Sequence, residues 1–143
     1  MTEEEVRNFF QRIDELTSEN KPLFGKMNVN QMICHCTDQL RLAMGAKNAL
    51  EYGKVNATEM LSLAKSGKPV PTPKGFGQTE GEGTNPTNFE NDINLLKEHI
   101  LMFSKLGDDF SFSIHPYFGQ LDKNLWNGMV AYHLNHHLKQ FSV

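Results

Sequence analysis

Apolar residues recur at steps of three and four in four segments of this 143-residue chain, and this periodicity constrains the fold more than any other feature. Such steps place apolar side chains on one face of an α-helix. The segments run from about Thr2 to Thr17, from Asn28 or Asn30 to Gly45, from Asn88 to Leu106 and from Asp122 to Phe141. Only residues 110–114 alternate like a strand, and without a partner strand we expect an extended connector there. The sequence therefore predicts an all-α four-helix bundle.

The helix starts carry capping residues, and one connection is much longer than the others. Thr2 followed by Glu5 is a capping-box pattern, and Asn28 and Asn30 are both able N-caps. In the long connection between the second and third helices, residues 56–64 could form a short helix. Residues 67–83 then hold five glycines and three prolines, which is typical of a loop. Two interpretations stay open: the loop covers a site at one end of the bundle, or it is an ordinary surface loop.

Composition limits the classes of function. With 38% apolar and 22% charged residues, the chain is too apolar for disorder and too polar for a membrane protein. We expect one domain over residues 1–143, without membrane or nucleic-acid partners, since the net charge is −3. Cys34 and Cys36 point in different directions on a helix and cannot pair with each other. With an acidic start that does not match a secretory signal, this predicts a cytoplasmic protein.

Two histidines occupy positions on the fourth helix where the pattern asks for apolar residues. His133 and His137 are four residues apart, so their imidazoles can converge on a single ion. His35, at the edge of the apolar stripe of the second helix, is the natural third ligand. Three neutral imidazoles with open positions for water describe a catalytic-type site for zinc or a related divalent ion. The alternative, histidines bonded to backbone or water, stays open on spacing alone.

Polar neighbours of these histidines are candidates for supporting roles. Asp38 and Gln140 each lie one turn from a candidate ligand and could orient an imidazole or a water, with a solvated helix residue as the alternative. His136 lies about 100° round the helix from His137, so we expect it at the surface, in an interhelix hydrogen bond or supporting the site.

The remaining histidines and the cysteines are expected to be structural. His115, held extended before Pro116, should support the loop that enters the fourth helix, and His99 should be solvated. Cys34 and Cys36 are each rotated about 100° from His35, so a Cys-His-Cys string does not supply three ligands to one ion. Burial as a small apolar residue is the expected fate of Cys36 in particular.

Three stretches together resemble the DinB-like superfamily of metal-dependent enzymes. They are residues 28–36, residues 115–119 and the His-Leu-Asn-His-His-Leu-Lys-Gln-Phe segment at 133–141. The chain looks nearest to a bacterial branch whose C-terminal helix ends in a His-Xaa-Xaa-His-His-Leu-Xaa-Gln-Phe pattern. The resemblance implies an up-down-down-up bundle with metal ligands at His35, His133 and His137. Cys34 and Cys36 beside the first ligand depart from the family pattern.

The resemblance also implies a function. A divalent ion, zinc or nickel, is the expected cofactor. Relatives with assigned chemistry are thiol-dependent transferases and isomerases or are described as metal-dependent hydrolases, so the reaction stays open between these types. The expected partner is a small-molecule substrate, with a low-molecular-weight thiol as one candidate, and a homodimer is left open. The competing hypothesis is a non-catalytic metal- or small-molecule-binding bundle or an oligomerising scaffold, since no general base is evident besides the ligands.

Overall fold

The structure, a computed structural model, describes residues 1–51, 58–59, 62–63, 66 and 71–143. These ranges hold four long α-helices. They are α1 (Glu3–Asp14), α2 (Val29–Ala43), α3 (Phe89–Ser104) and α4 (Lys123–Gln140). The described residues form no strand, and residues 110–114 are an extended connector as predicted. The all-α four-helix bundle is therefore confirmed. None of the described helices is long and apolar enough to cross a membrane.

Helices that follow each other in the chain lie diagonally in the bundle. The α2 helix packs against α3 and α4, and α1 packs against the same two helices. Neither α1 and α2 nor α3 and α4 are in close backbone contact. The two flanks of α2 therefore face different partners, α3 on one side and α4 on the other. The predicted long connection between the second and third helices spans residues 44–88.

Two capping boxes fix the starts of α1 and α2. Thr2 N donates to Glu5 Oε2 at 2.7 Å, and Glu5 N donates to Thr2 Oγ1 at 3.1 Å. Asn28 and Gln31 form the same reciprocal pair at 3.0 and 2.9 Å. Each box satisfies amide groups that have no partner inside the helix. Of the two N-caps that the sequence left open, the structure therefore uses Asn28.

The predicted apolar stripes form the core. The fully buried residues contributed by the four helices include Ile13, Met32, Ile33, Leu40, Leu96, Ile100, Trp126 and Val130. The α4 helix also buries Leu134 and Leu138, which the predicted stripe omitted. Because α4 contacts both α1 and α2, it is apolar on more than one side, and its histidine face is only part of its buried surface.

The chain that precedes α3 packs against α2. Phe76 belongs to the hydrophobic core at 3% exposure, and Lys47 Nζ lies 4.8 Å from the centre of its ring. Residues 75–78 of the predicted 67–83 loop are therefore anchored in the core, whereas residues 79–82 lie exposed at the surface. A covering role stays a prediction. Residues 67–70 lie outside the described residues, and so does most of the predicted helix at 56–64.

Asp38 joins α2 to the chain that precedes α3. Its side chain is fully buried, so a solvated position is wrong. Its Oδ2 accepts hydrogen bonds from Lys47 Nζ at 2.5 Å and from Thr84 N at 2.9 Å. Its Oδ1 accepts from Thr84 Oγ1 at 2.6 Å and from Arg41 Nη1 at 3.3 Å. None of these groups is a candidate ligand histidine. Burial by itself would raise the Asp38 pKa, but the hydrogen bonds from Lys47 and Thr84 and the Lys47 charge lower it below its usual range.

Asp38→Asn should lower the free energy of unfolding at pH 7, because it leaves Lys47 and Arg41 facing each other without a countercharge. We expect a loss of about 2–3 kcal/mol, less than for a fully buried pair because both cations are partly exposed. Urea unfolding monitored by circular dichroism measures it. Asp108→Asn, which removes a carboxylate that is 94% exposed and pairs with Lys123, is the matched control and should change little.

The difference in unfolding free energy between wild type and Asp38→Asn should also depend on pH. Because folding lowers the Asp38 pKa, its contribution is present above the unfolded pKa of about 3.9 and is lost as pH falls through the folded value. The difference between wild type and Asp38→Asn should therefore shrink below about pH 4. A difference that stays constant down to pH 3 would contradict the account.

Candidate metal centre

Three imidazoles from two helices meet at one point between α2 and α4. His35 Nε2 lies 2.9 Å from His133 Nε2. The His137 ring centre lies 4.8 Å from that of His35 and 4.4 Å from that of His133. One ring nitrogen from each residue can be chosen so that all three lie within 4.8 Å of one another. The structure thus brings together the three residues that the sequence singled out, and this cluster could bind a metal ion.

Helix geometry explains the convergence. His133 and His137 are one turn apart on α4, so their side chains are neighbours on one face. His35 reaches them from α2, because α2 and α4 are adjacent in the bundle. Ligand nitrogens that share one tetrahedral zinc ion, each about 2.0–2.1 Å from the metal, lie about 3.3 Å apart. The 2.9 Å between His35 Nε2 and His133 Nε2 is a hydrogen-bond distance a few tenths of an ångström shorter than that spacing.

The surroundings keep the three imidazoles uncharged. Burial lowers the pKa of His35, and the backbone of Phe76 opposes this shift only in part. Burial lowers the pKa of His133 well below its usual range, and it lowers the pKa of His137 to about 3. Neighbouring histidines lower the pKa of both rings further. At neutral pH the rings are therefore neutral, which is the form that offers a lone pair to a metal. The donor set fits a divalent ion that accepts imidazole.

Gln140 fixes the orientation of His137. The Gln140 side chain donates through Nε2 to the carbonyl of Phe24 at 2.6 Å, so its Oε1 faces the imidazole. His137 Nδ1 therefore carries a proton and donates to that oxygen at 2.9 Å. This bond leaves the lone pair of His137 on Nε2, directed away from Gln140. The predicted hydrogen bond from Gln140 to a candidate ligand is therefore present, and histidines of metal sites are typically held in this way.

The connector between α1 and α2 holds Gln140 in place. Leu23 N donates to the Gln140 backbone carbonyl at 2.7 Å. Gly25 has a φ of +78°, and a Cβ at this position would lie 2.5 Å from Gln140 Nε2. Only glycine therefore suits both the backbone conformation and the close approach. A connector far from the candidate ligands in sequence thus positions one of them, His137, through Gln140.

The other two ligand candidates lack such a side-chain partner. The Nδ1 atom of His133 is buried and has no hydrogen-bond partner. The Nδ1 atom of His35 is also buried and has no partner at hydrogen-bond geometry, although the Phe76 backbone lies close enough to this ring to raise its pKa. Gln39, one turn after His35 on α2, has a buried Oε1 that also lacks a partner. Its spacing of four from His35 puts the two side chains on one helix face, a signal that was readable in the sequence.

The other histidines lie outside the cluster. His136 is exposed, and its ring packs against those of Phe24 and His137, as expected for a surface position. His115 Nδ1 accepts from the backbone amides of Tyr117 and Phe118 at 3.1 and 3.3 Å, which confirms its role in the loop that enters α4. His99 is half-buried, and its Nδ1 donates to the carbonyl of Leu95 on α3.

Both cysteines are buried, and neither joins the cluster. Burial, followed by the negative charges of Asp92 and Asp38, raises the pKa of Cys34 to about 12. Burial also raises the pKa of Cys36. Both therefore stay protonated at neutral pH, and a protonated thiol is a poor nucleophile and ligand. The expected burial of Cys36 as a small apolar residue is confirmed.

Comparison with known proteins places the chain in a family. The model described as "Protein of unknown function (DUF1569)" matches residues 2–143, so the chain belongs to that family. No curated protein and no solved structure matches the chain.

Gly25→Ala should weaken binding of a divalent ion, although residue 25 does not touch a histidine. The added methyl group displaces Gln140 and releases the His137 ring, and loss of such an orienting bond typically costs about 10–100-fold in metal affinity. Gln140→Leu should produce a similar loss. Isothermal titration calorimetry of the metal-free protein with zinc measures both.

Gly81→Ala is the matched control, because Gly81 has a similar φ of +74° but no atom within 4 Å of an added Cβ. It reproduces the backbone strain without the contact. Equal losses of affinity in the two alanine variants would contradict the positioning role of Gly25.

Proposed function

We propose that this member of the DUF1569 family is a divalent-metal-dependent enzyme whose ion is held by His35, His133 and His137. One observation carries the proposal: three neutral imidazoles from two helices converge between α2 and α4. Three protein ligands leave at least one coordination position open, as in catalytic zinc sites. Zinc and nickel are the ions proposed, because imidazole nitrogen suits both.

The residues of the chain would hold the ion and set its surroundings. When bound, a divalent cation supplies positive charge that favours the ionised form of a thiol or a water beside it. The imidazoles add no charge of their own, so that positive charge is not offset by the ligands. Partial burial of the cluster strengthens the electrostatic interactions within it, because the protein interior has a lower dielectric constant than water. Gln140 would keep the His137 lone pair directed at the ion.

The proposed reaction is transfer to or from a low-molecular-weight thiol, with hydrolysis of a small-molecule substrate as the other type. We also propose that the chain belongs to the DinB-like superfamily. Two features support it: the chain is a four-helix bundle, and the clustered histidines come from α2 and α4, where the resemblance expects the ligands.

A non-catalytic metal-binding bundle is the competing function. It is favoured by the composition of the cluster, because no aspartate, glutamate or cysteine among the described residues joins the three histidines. The site therefore has no evident general base apart from the ligands. General bases must lie within hydrogen-bond reach of the proton that they remove.

Replacing any one of the three histidines with alanine should weaken binding of zinc or nickel by more than about 100-fold, because loss of a direct ligand should exceed loss of an orienting group. Calorimetric titration of the metal-free variants measures the affinity. His136→Ala is the control, since it removes a neighbouring imidazole on α4 outside the cluster. If His136→Ala weakens binding as strongly as His137→Ala, the ligand assignment on α4 is wrong.

The type of reaction is tested with metal-stripped protein to which single divalent ions are returned. A panel of electrophiles is incubated with and without thiols such as cysteine and glutathione, and products are followed by mass spectrometry. Turnover that needs both ion and thiol supports the transferase, and turnover that needs only the ion supports the hydrolase. Tight ion binding without turnover across the panel favours the non-catalytic bundle.

A further inference from the structure

A cavity lies on a different flank of α2 from the histidine cluster. It has a volume of about 200 Å³ and is bounded by α2, α3 and the chain that precedes α3. From α2 it is lined by Cys34, Thr37 and Arg41, which form one stripe at spacings of three and four. Asp92 and Leu95 line it from α3. None of these residues belongs to the histidine cluster.

Arg41 brings positive charge to this cavity that is only partly neutralised. Its one acidic partner is Asp38, which Lys47 already contacts at 2.5 Å. Arg41 reaches Asp38 through Nη1 alone, at 3.3 Å, and Thr84 Oγ1 shares that nitrogen at the same distance. One carboxylate between two cations leaves a positive charge in excess. The other guanidinium nitrogens, which have no hydrogen bond within the described residues, remain able to bind a planar anion.

Asp92 brings the opposite charge. Its side chain is 6% exposed, and it accepts from Thr87 N and Thr87 Oγ1, each at 2.9 Å. No lysine, arginine or histidine of the described chain forms a salt bridge with it, and Arg41 in particular pairs only with Asp38. A buried carboxylate without a cation is costly, because hydrogen bonds replace only part of its lost hydration.

The two charges lie towards different ends of the cavity. Asp92 is beside Cys34, whose pKa it helps to raise. Arg41 is seven residues further along α2, about 10 Å at 1.5 Å per residue. Its side chain turns back towards Asp38, one turn earlier, and forms no salt bridge with Asp92. The two opposite charges therefore line one cavity without neutralising each other, which suits a small molecule that carries both charges.

We propose that this cavity binds a small free amino acid, with the ligand carboxylate on Arg41 and the ligand ammonium on Asp92. The volume restricts the ligand to one with a short side chain. A simple carboxylate would leave Asp92 without a cation, and a simple amine would leave Arg41 without an anion. A zwitterion satisfies both groups and adds no net charge to the interior. This inference does not depend on the metal centre.

The test uses L-alanine and its two halves. Propionate is alanine without the ammonium group, and ethylamine is alanine without the carboxylate. Each is titrated into ¹⁵N-labelled full-length protein, stripped of divalent ions so that a metal cannot capture the amino acid. L-Alanine should shift the backbone amides of Thr37, Arg41 and Thr84, and each half should bind at least about tenfold more weakly, because one charged contact is lost. Absence of binding by alanine, or equal binding by either half, overturns the proposal.

Two charge variants assign the contacts. Arg41→Gln should remove the advantage of alanine over ethylamine, and Asp92→Asn should remove its advantage over propionate. Arg7→Gln is the matched control, because Arg7 is exposed and its ion pair within the described part of the chain is with Glu3 on α1. If either charge variant keeps the wild-type ranking of the three probes, the proposed contacts are wrong.

A third variant covers the case in which a charge variant fails to fold. Leu95→Phe adds volume to the cavity wall and leaves every charge in place. It should abolish alanine binding, whereas zinc affinity should equal that of wild type. Unchanged alanine binding in this variant overturns the proposal. Because zinc and alanine are titrated separately, a failure of the metal centre is distinguishable from a failure of this site.

Discussion

The contact between two imidazole nitrogens across the α2–α4 interface is the constraint on which the rest of the site depends. At 2.9 Å, the Nε2 atoms of His35 and His133 are at hydrogen-bond distance, so the Nε2–H of one neutral ring can donate to the lone pair of the other. Burial lowers the pKa of both rings and keeps them neutral. An ion held between the rings would take the place of that shared proton and leave each ring protonated at Nδ1, and His137, held by Gln140, lies beside both rings.

Much of the fold and the composition of the cluster could be predicted from the sequence, because both depend on local periodicity. Apolar steps of three and four located all four helices to within a few residues. The same periodicity made polar residues at buried positions conspicuous, which singled out His133 and His137. Gln140 followed from the same logic, since one helical turn is the reach of an orienting hydrogen bond.

The features that the sequence did not predict come from contacts between distant segments. From the sequence, Asp38 could be a solvated helix residue, but in the fold its carboxylate is buried and accepts hydrogen bonds from Lys47 and Thr84. Nothing near Gly25 in the sequence indicates that it packs against Gln140, more than a hundred residues away. The shared ion pair of Arg41 and the Asp92 carboxylate without a cation among the described residues were equally hidden, because pairing depends on which helices become neighbours. Helix periodicity says which face is buried, but not what that face meets.

The central claim is that the three histidines bind one metal ion. The most direct test is a crystal structure of the protein loaded with one equivalent of zinc, with anomalous diffraction recorded on both sides of the zinc absorption edge. The account predicts a single anomalous peak about 2.0–2.1 Å from the Nε2 atoms of His35, His133 and His137. A fully loaded crystal with its zinc peak elsewhere, or with no peak between these imidazoles, would contradict the claim.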